Sequence, residues 1–279
     1  MGLWHDETFQ DRVRFGLNVK RTLLRTASEF QAIDIVETEF GPTLLLGDAY
    51  MTSVADEYFY HEMIVHPALT SAPSIKRVLV IGGGDGGTIR EVLRYREVEH
   101  VTLCEIDALV IEASQKYLTE FKVPWNDPRL SIRCGDGVAY LRDYTGEPYD
   151  VILVDGADPV GPAEGLFQSA FYDACKKCLS PHGLLASQTE APTLMRDDFV
   201  RIVKTLRSSF PEAHPYFGPV PIYVCGLWSW TVASHRRGID VRSPREDRLS
   251  QIEAGCRYYN RDIHRAAFTL PNDLRRALG

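Results

Sequence analysis

Long apolar runs are missing from this chain. No stretch approaches the roughly 20 consecutive apolar residues of a membrane-crossing helix. The first thirty residues carry Asp6, Glu7, Asp11, Arg12, Arg14, Lys20, Arg21 and Arg25, and no apolar segment of the signal-peptide kind. A soluble cytoplasmic protein with no membrane partner is the expectation. Basic residues are in deficit: 31 Lys and Arg stand against 38 Asp and Glu, a formal net charge of -7. Nucleic-acid phosphates need clustered Lys and Arg, so this balance disfavours nucleic acid and tolerates cationic small molecules. Cysteines are scattered. Of the six, only Cys175 and Cys178 form a CxxC, and no second CxxC accompanies it. Within FYDACKKCL they read as two small residues one helical turn apart. Repeats and low-complexity tracts are also missing.

What is present suits one large α/β domain with a small addition: the chain has 279 residues. Up to about residue 55, the runs GLNVKRTLL, FQAIDIVET and PTLLLG are broken by Ser28, Gly41-Pro42 and Gly47-Asp48. They predict a small antiparallel sheet, an N-terminal β domain over 1–55. DEYFYHEMIVHPAL then has a helical period, with Asp56 in position to cap it. From residue 77, strands RVLVIGG, HVTLCEID, RLSIRCGDG, YDVILVDGAD and HGLLASQTE alternate with helices TIREVLRY, LVIEASQKYL and QSAFYDACKKCL. Such alternation predicts a Rossmann-like, methyltransferase-type domain over 56–279, its mostly parallel sheet covered on both faces. Ligands are expected at the carboxyl ends of its strands. The tail beyond about residue 236 is polar, then helical, and offers little chemistry.

Four motifs fall at those strand ends. Gly82, Gly83, Gly84, Asp85, Gly86 and Gly87 follow RVLVI, where glycines let a nucleotide or adenosyl group approach the backbone. Asp85 in mid-loop would repel a phosphate, and equally the carboxylate of S-adenosylmethionine. Decarboxylated S-adenosylmethionine presents only an ammonium there, so Asp85 could select it by like-charge exclusion. Pointing to solvent, or capping the next helix, is the plainer alternative. Glu105 ends the second strand, where an acid accepts ribose hydroxyls. Asp136 and Gly137 end the third, fit for an adenine amino group and its ring. Asp155 and Asp158 follow the fourth strand and open a Pro/Gly-rich loop. An amine nucleophile has use for such a pair, because an alkylammonium must be anchored and then lose a proton before it attacks. A helix cap with a loop turn is the alternative here.

GGGDGGTIREVL, CEID, NDPRL, GDG and VDGADPVGPAEGLF resemble, in order, the signature segments of spermidine synthases. DEYFYHEMIVHP and CRYYNRDIHRAAFTLP resemble that family too, so the likeness runs from Gln31 to the C-terminus. The resemblance implies an aminopropyltransferase that moves propylamine from decarboxylated S-adenosylmethionine, as co-substrate, onto a diamine, with no metal or further cofactor. It implies Asp155 as general base, Asp158 and Asp85 as amine-binding carboxylates, and Glu105, Asp136 and Gly137 as thioadenosine contacts completed by Gln31 and Pro162. Tyr60, His61, Gln188, Glu190 and Tyr223 match positions lining the amine site and acceptor channel. Ordinary core roles stay open for Tyr60, His61 and Tyr223. Met51 departs from a common Gln. Asp85 together with Tyr223 resembles the diamine-using branch, with putrescine ahead of cadaverine, agmatine or spermidine as acceptor. A homodimer or homotetramer is implied as well. A methyltransferase and a non-catalytic polyamine-binding protein are the competing readings.

Overall fold

The computed structural model describes residues 2–9, 11–159 and 161–279. Its first strands are antiparallel. β1 (Leu3–Phe9) pairs with β2 (Val13–Val19) as a two-stranded ribbon. β3 (Arg21–Ala27), β4 (Ala32–Thr38), β5 (Gly41–Leu46) and β6 (Ala49–Ser53) form a four-stranded sheet in sequence order. GLNVKRTLL, expected as one strand, therefore breaks at Lys20, where the chain passes from the ribbon to the sheet.

Next comes α1 (Glu57–Ser71), in which every residue except Tyr58 and Phe59 is buried. A helix with no solvent face is a core helix rather than an amphipathic one. Its buried polar groups are accordingly satisfied by distant segments. Pro67 lies inside α1 and lacks the N–H that would bond the Met63 carbonyl. That carbonyl accepts the Tyr216 hydroxyl at 2.9 Å instead. Asp56 stands at the N-cap position but does not cap with its side chain. Its carboxylate accepts from Ser53 Oγ at 2.5 Å and from the Ile222 amide at 2.8 Å.

The remaining strands are β7 (Arg77–Gly82), β8 (His100–Glu105), β9 (Leu130–Cys134), β10 (Tyr149–Asp155), β11 (Leu179–Gln188), β12 (Glu212–Pro219) and β13 (Leu227–Ser234). They form one sheet in the order β12-β13-β11-β10-β7-β8-β9. β13 runs antiparallel to both neighbours, so the sheet is mostly parallel. Between its strands lie α2 (Gly87–Leu93), α3 (Ala108–Tyr117), α4 (Gly137–Arg142), α5 (Ser169–Cys178) and α6 (Arg196–Ser209). The apolar runs of β7 and β10 alternate between two cores. Val78, Val80, Val151 and Leu153 pack with Met63 of α1 and Ile89 of α2. Leu79, Ile81, Ile152 and Val154 pack with Leu141 of α4, Phe171 of α5 and Ile202 of α6. Cys175 and Cys178 lie buried and unpaired in α5. No helix among the described residues is long and apolar enough to cross a membrane.

The tail forms α7 (Glu246–Ile252), α8 (Arg261–Ala267) and α9 (Asn272–Leu278), and α7 and the segment leading into α8 brace α1. Glu62 accepts the backbone amides of Arg257, Tyr258 and Tyr259 at 2.7, 2.9 and 2.7 Å. Arg248 is fully buried. It donates to the Leu69 carbonyl at 2.7 Å, to those of Ala72 and Pro73, and to both oxygens of Glu97. It thus satisfies the orphan carbonyls at the end of α1. Arg248→Met is expected to lower stability by about 2–4 kcal/mol, because buried carbonyls lose their donors. Urea unfolding checks this; a change below about 0.5 kcal/mol, the scale of a surface substitution, would contradict it.

Candidate active site

At the carboxyl ends of β7 to β11 lies a cavity of about 340 Å³, roofed by residues of β1, β5 and β6. It sits at the switch point where β10 and β7 lie side by side and their connections diverge. Its lining carries six acidic side chains, Glu7, Asp85, Glu105, Asp136, Asp155 and Asp158, and no Lys or Arg among the described residues.

The turn after β7 is glycine for steric reasons that precede any ligand. Gly83 has φ +71°, and a Cβ there would lie 2.7 Å from Asp155 Oδ2. Asp85 has two roles at once. Its Oδ1 accepts the amide of Gly87, the first residue of α2, at 2.7 Å, while its Oδ2 faces His61 Nε2 at 3.2 Å. The other ring nitrogen of His61 lies 2.7 Å from Glu57 Oε2, and Arg90 grips Glu57 at 2.9 and 2.8 Å. Burial opposes ionisation of Asp85, but the charge and hydrogen bond of His61 outweigh it and hold this carboxyl below its usual range.

Asp155 ends β10 beside Gly82. Its Oδ2 accepts the Thr88 hydroxyl at 2.6 Å, which fixes the carboxyl plane. Burial and the neighbouring Asp85 charge push Asp155 upward, so the two acids are driven apart. That divergence is the usual mark of an anchor and a base in one pocket. Tyr60 is buried and packs edge-on against Tyr223, with ring centroids 6.0 Å apart. Burial, then the Asp155 charge, hold the Tyr60 phenol protonated. Tyr223 donates to the Met51 carbonyl at 2.9 Å. Met51 thus contributes its backbone carbonyl to this wall of the cavity.

Asp158 is pushed up to about 6 by burial and the Asp198 charge. Gln188 donates to the Gly156 and Ala157 carbonyls, both at 3.3 Å, and so steadies the chain between the two aspartates. Glu190 does not reach the wall. It lies buried behind Gln188, which donates to it at 3.2 Å, and its other carboxyl oxygen has no partner among the described residues. Its φ of +71° turns it out of the strand's alternation.

On the opposite side, Glu105 accepts the amides of Gly84 at 3.1 Å and Asp107 at 2.9 Å, while burial pushes it up to about 7. Gln31 donates to Asp107 at 3.2 Å, which also accepts Ser28 Oγ at 2.6 Å and caps α3. Asp136 caps α4 through the Val138 amide at 2.8 Å. A Cβ on Gly137 would lie 2.5 Å from Ile81 Cγ2. The Pro162 side chain lies outside the described residues.

Apart from Glu190 and Pro162, the sequence-derived site residues thus line one cavity. Several others were missed. Glu7 of β1 also lines it, pushed up to about 8 mainly by burial, with the Asp158 charge adding to this. Nothing in LWHDETF marks it, since Glu7 is one of two adjacent acids, Asp6 and Glu7, in that strand. Thr88, within GGDGGT, could have been found as the only hydroxyl in that loop. Glu57 was visible as an acid four residues before His61 on one helix face.

The family model "Spermine/spermidine synthase domain" matches residues 57–243, and "Spermidine synthase tetramerisation domain" matches 3–53. A polyamine aminopropyltransferase of Prochlorococcus marinus strain MIT 9313 is 44% identical over 267 residues, covering 95% of this chain and 92% of that protein. One from Desulforudis audaxviator is 40% identical, covering 98% of each. A crystal structure of spermidine synthase with the transition-state analogue AdoDATO superposes with TM-score 0.94 at 37% identity, covering 99% of this chain and 94% of that one. Spermidine synthase from Thermotoga maritima gives 0.91 at 36% identity, with the same coverages. The chain belongs to the spermine/spermidine synthase family of polyamine aminopropyltransferases.

Proposed function

We propose that the enzyme transfers propylamine from decarboxylated S-adenosylmethionine to putrescine, giving spermidine and methylthioadenosine. The observation that carries this reading is a cavity walled by six acids, with no Lys or Arg among the described residues. Donor sulfonium, donor ammonium and both acceptor ammoniums are cations, and such a wall suits them. Intact S-adenosylmethionine would bring a carboxylate against Asp85.

In this reading Glu105, Asp136, Gly137, Gln31 and Pro162 hold the thioadenosine, and Asp85 holds the donor's ammonium. Asp158, Glu7, Gln188 and Tyr223 receive the acceptor, with Glu190 supporting Gln188. Asp155 takes the proton of the attacking amine, oriented by Tyr60. The nitrogen lone pair then forms a bond to the carbon beside the sulfonium. The C–S electrons leave with sulfur as a neutral thioether, so the step needs only alignment and a proton sink. The match to a tetramerisation domain over 3–53 supports an oligomer, a homotetramer or homodimer. We further take residues 1–55 as the β domain, 56–279 as the catalytic domain, and the cytoplasm as the place of action.

An acceptor panel tests the substrate assignment. With decarboxylated donor and methylthioadenosine as readout, kcat/KM should be highest for putrescine. A higher value for spermidine, agmatine or cadaverine would overturn the assignment while leaving the chemistry.

A pH prediction follows from Glu7, Asp158 and Glu105, raised to about 8, 6 and 7 in the folded protein. The empty fold binds protons that the unfolded chain releases. These groups therefore contribute stability that is complete only below the ordinary carboxylate range of about 4 and is lost progressively as pH rises from there through the folded values of about 6–8. A bound cation favours the ionised forms. Binding of decarboxylated donor alone at pH 7 should release protons, seen by calorimetry in buffers of different ionisation enthalpy. Identical heats in all buffers would contradict this.

A further inference from the structure

We propose that His61 works as a doubly donating imidazolium, and that Glu57 and Arg90 are positioning residues holding it so, which fixes the charge of Asp85. The inference rests on the reading of Asp85 as the carboxylate for the donor's ammonium, and goes beyond it by naming what sets that carboxylate's state.

Both ring nitrogens of His61 face carboxyl oxygens, Glu57 Oε2 at 2.7 Å and Asp85 Oδ2 at 3.2 Å. A neutral imidazole has one N–H and one lone pair. In either tautomer the lone pair would point at one of these oxygens. The carboxyls do not relieve this by carrying protons themselves. Glu57 accepts a two-pronged grip from Arg90, and the second oxygen of Asp85 accepts the Gly87 amide. Arg90 occupies both Glu57 oxygens, and the Gly87 amide takes Asp85 Oδ1 and leaves Oδ2 to the ring, so an imidazolium with two N–H groups fits every contact at once. Burial disfavours a charged ring, but Asp85 and Glu57 together outweigh it.

The outer clamp is firmly seated. Arg90 also donates to the Phe121 carbonyl at 3.0 Å and to Glu91 at 2.8 Å. The ring is wedged as well: a Cβ on Gly87 would collide with it, and the Phe121 ring stands edge-on, centroids 5.9 Å apart. Other charged or titratable groups near His61 are Asp56 and Tyr60 from its own side and Asp155 from β10. The four clamped groups, Glu57, His61, Asp85 and Arg90, sum to zero formal charge. Without the imidazolium, Asp85 and Asp155 would be two neighbouring buried acids with no cation between them, and one would take a proton. With it, Asp85 stays ionised and ready for an ammonium, and Asp155 is left as the acid that exchanges a proton.

Nitrogen NMR on protein labelled with ¹⁵N-histidine tests this, with the His61 signals assigned by their loss in His61→Gln. Wild type should show both ring nitrogens protonated from about pH 6 to 9, well above the ordinary histidine range. In Glu57→Gln, or Arg90→Gln should the first variant not fold, the ring should titrate within that window. kcat/KM for the donor should then gain a limb falling by about 10–100-fold as pH rises, the scale of a lost charge-assisted hydrogen bond. That limb should vanish in Glu57→Gln/His61→Gln, which a merely structural role would not produce. A neutral His61 tautomer in wild type at pH 7 overturns the inference, as does a limb persisting in the double variant. The NMR result needs no turnover. A neutral ring in an active aminopropyltransferase sinks this inference alone, whereas no activity with decarboxylated donor sinks the functional reading alone.

Discussion

Replacing Asp155 by Asn should lower kcat by about 10²–10⁴, the usual range for a lost general base, with donor binding nearly unchanged. The acceptor amine has a solution pKa near that of Lys, roughly 10, so nearly all of it arrives protonated. Asn keeps the shape and can still accept the Thr88 hydroxyl, which reaches Asp155 at 2.6 Å. What it loses is the proton sink. Residual activity should therefore climb with pH as free amine accumulates. Asp158→Asn should act more on acceptor KM, because in the proposed reading Asp158, in the loop directly after Asp155, anchors charge. Steady-state kinetics over pH separates the two. Near-wild-type turnover of Asp155→Asn at neutral pH would move the base to Asp158 or Asp85.

Asp85→Asn is the second large effect. Charge-assisted hydrogen bonds contribute about 1.5–3 kcal/mol, so affinity for decarboxylated donor should fall by roughly 10–100-fold. Affinity for intact S-adenosylmethionine should fall less or rise, because the repulsion of its carboxylate goes too. The preference ratio between the donors should narrow. Calorimetric titration of both into both proteins measures it, and an unchanged ratio would remove Asp85 as discriminator. The variant also takes one charged acceptor from His61. Its donor affinity should therefore be read at a pH below the titration of that ring.

Much of the catalytic layer was legible because buried parallel strands are apolar on both faces. RVLVI and VILV announce themselves, and glycine follows closely after each of these two. The carboxylates stood out because Asp85, Glu105, Asp136 and Asp155 close successive strands in order. β12 and β13 escaped notice. EAHPYFGP mixes Pro, Gly and aromatics at a sheet edge, where Pro is tolerated. LWSWTVAS is buried along nearly its whole length, yet alternates Ser and Thr with Trp, so no apolar run marks it. Its hydroxyls are satisfied by pairs such as Thr189 with Ser229 at 2.9 Å, which only the folded sheet creates.

The same limit governed the site. Glu7 lines the cavity with Asp158 only because the first strand is placed over the Rossmann-like sheet, an arrangement with no local signal. Gln188 and Glu190, two apart, would share a face in a continuing strand. β11 ends at Gln188, and the left-handed backbone at Glu190 breaks the alternation, so one lines the cavity and the other backs it. Likewise, a polar tail with no catalytic signature holds Arg248 and the amides that complete α1, and α1 in turn carries Tyr60 and His61 to the cavity.

The central claim is that the transferred group is propylamine and not methyl. Purified enzyme with putrescine should be given decarboxylated S-adenosylmethionine in one reaction and S-adenosylmethionine in another, and the products identified by mass spectrometry. Spermidine and methylthioadenosine should form in equal amounts in the first reaction, with no methylated amine in the second. Methylated putrescine with S-adenosylhomocysteine, and no spermidine from the decarboxylated donor, would contradict the account.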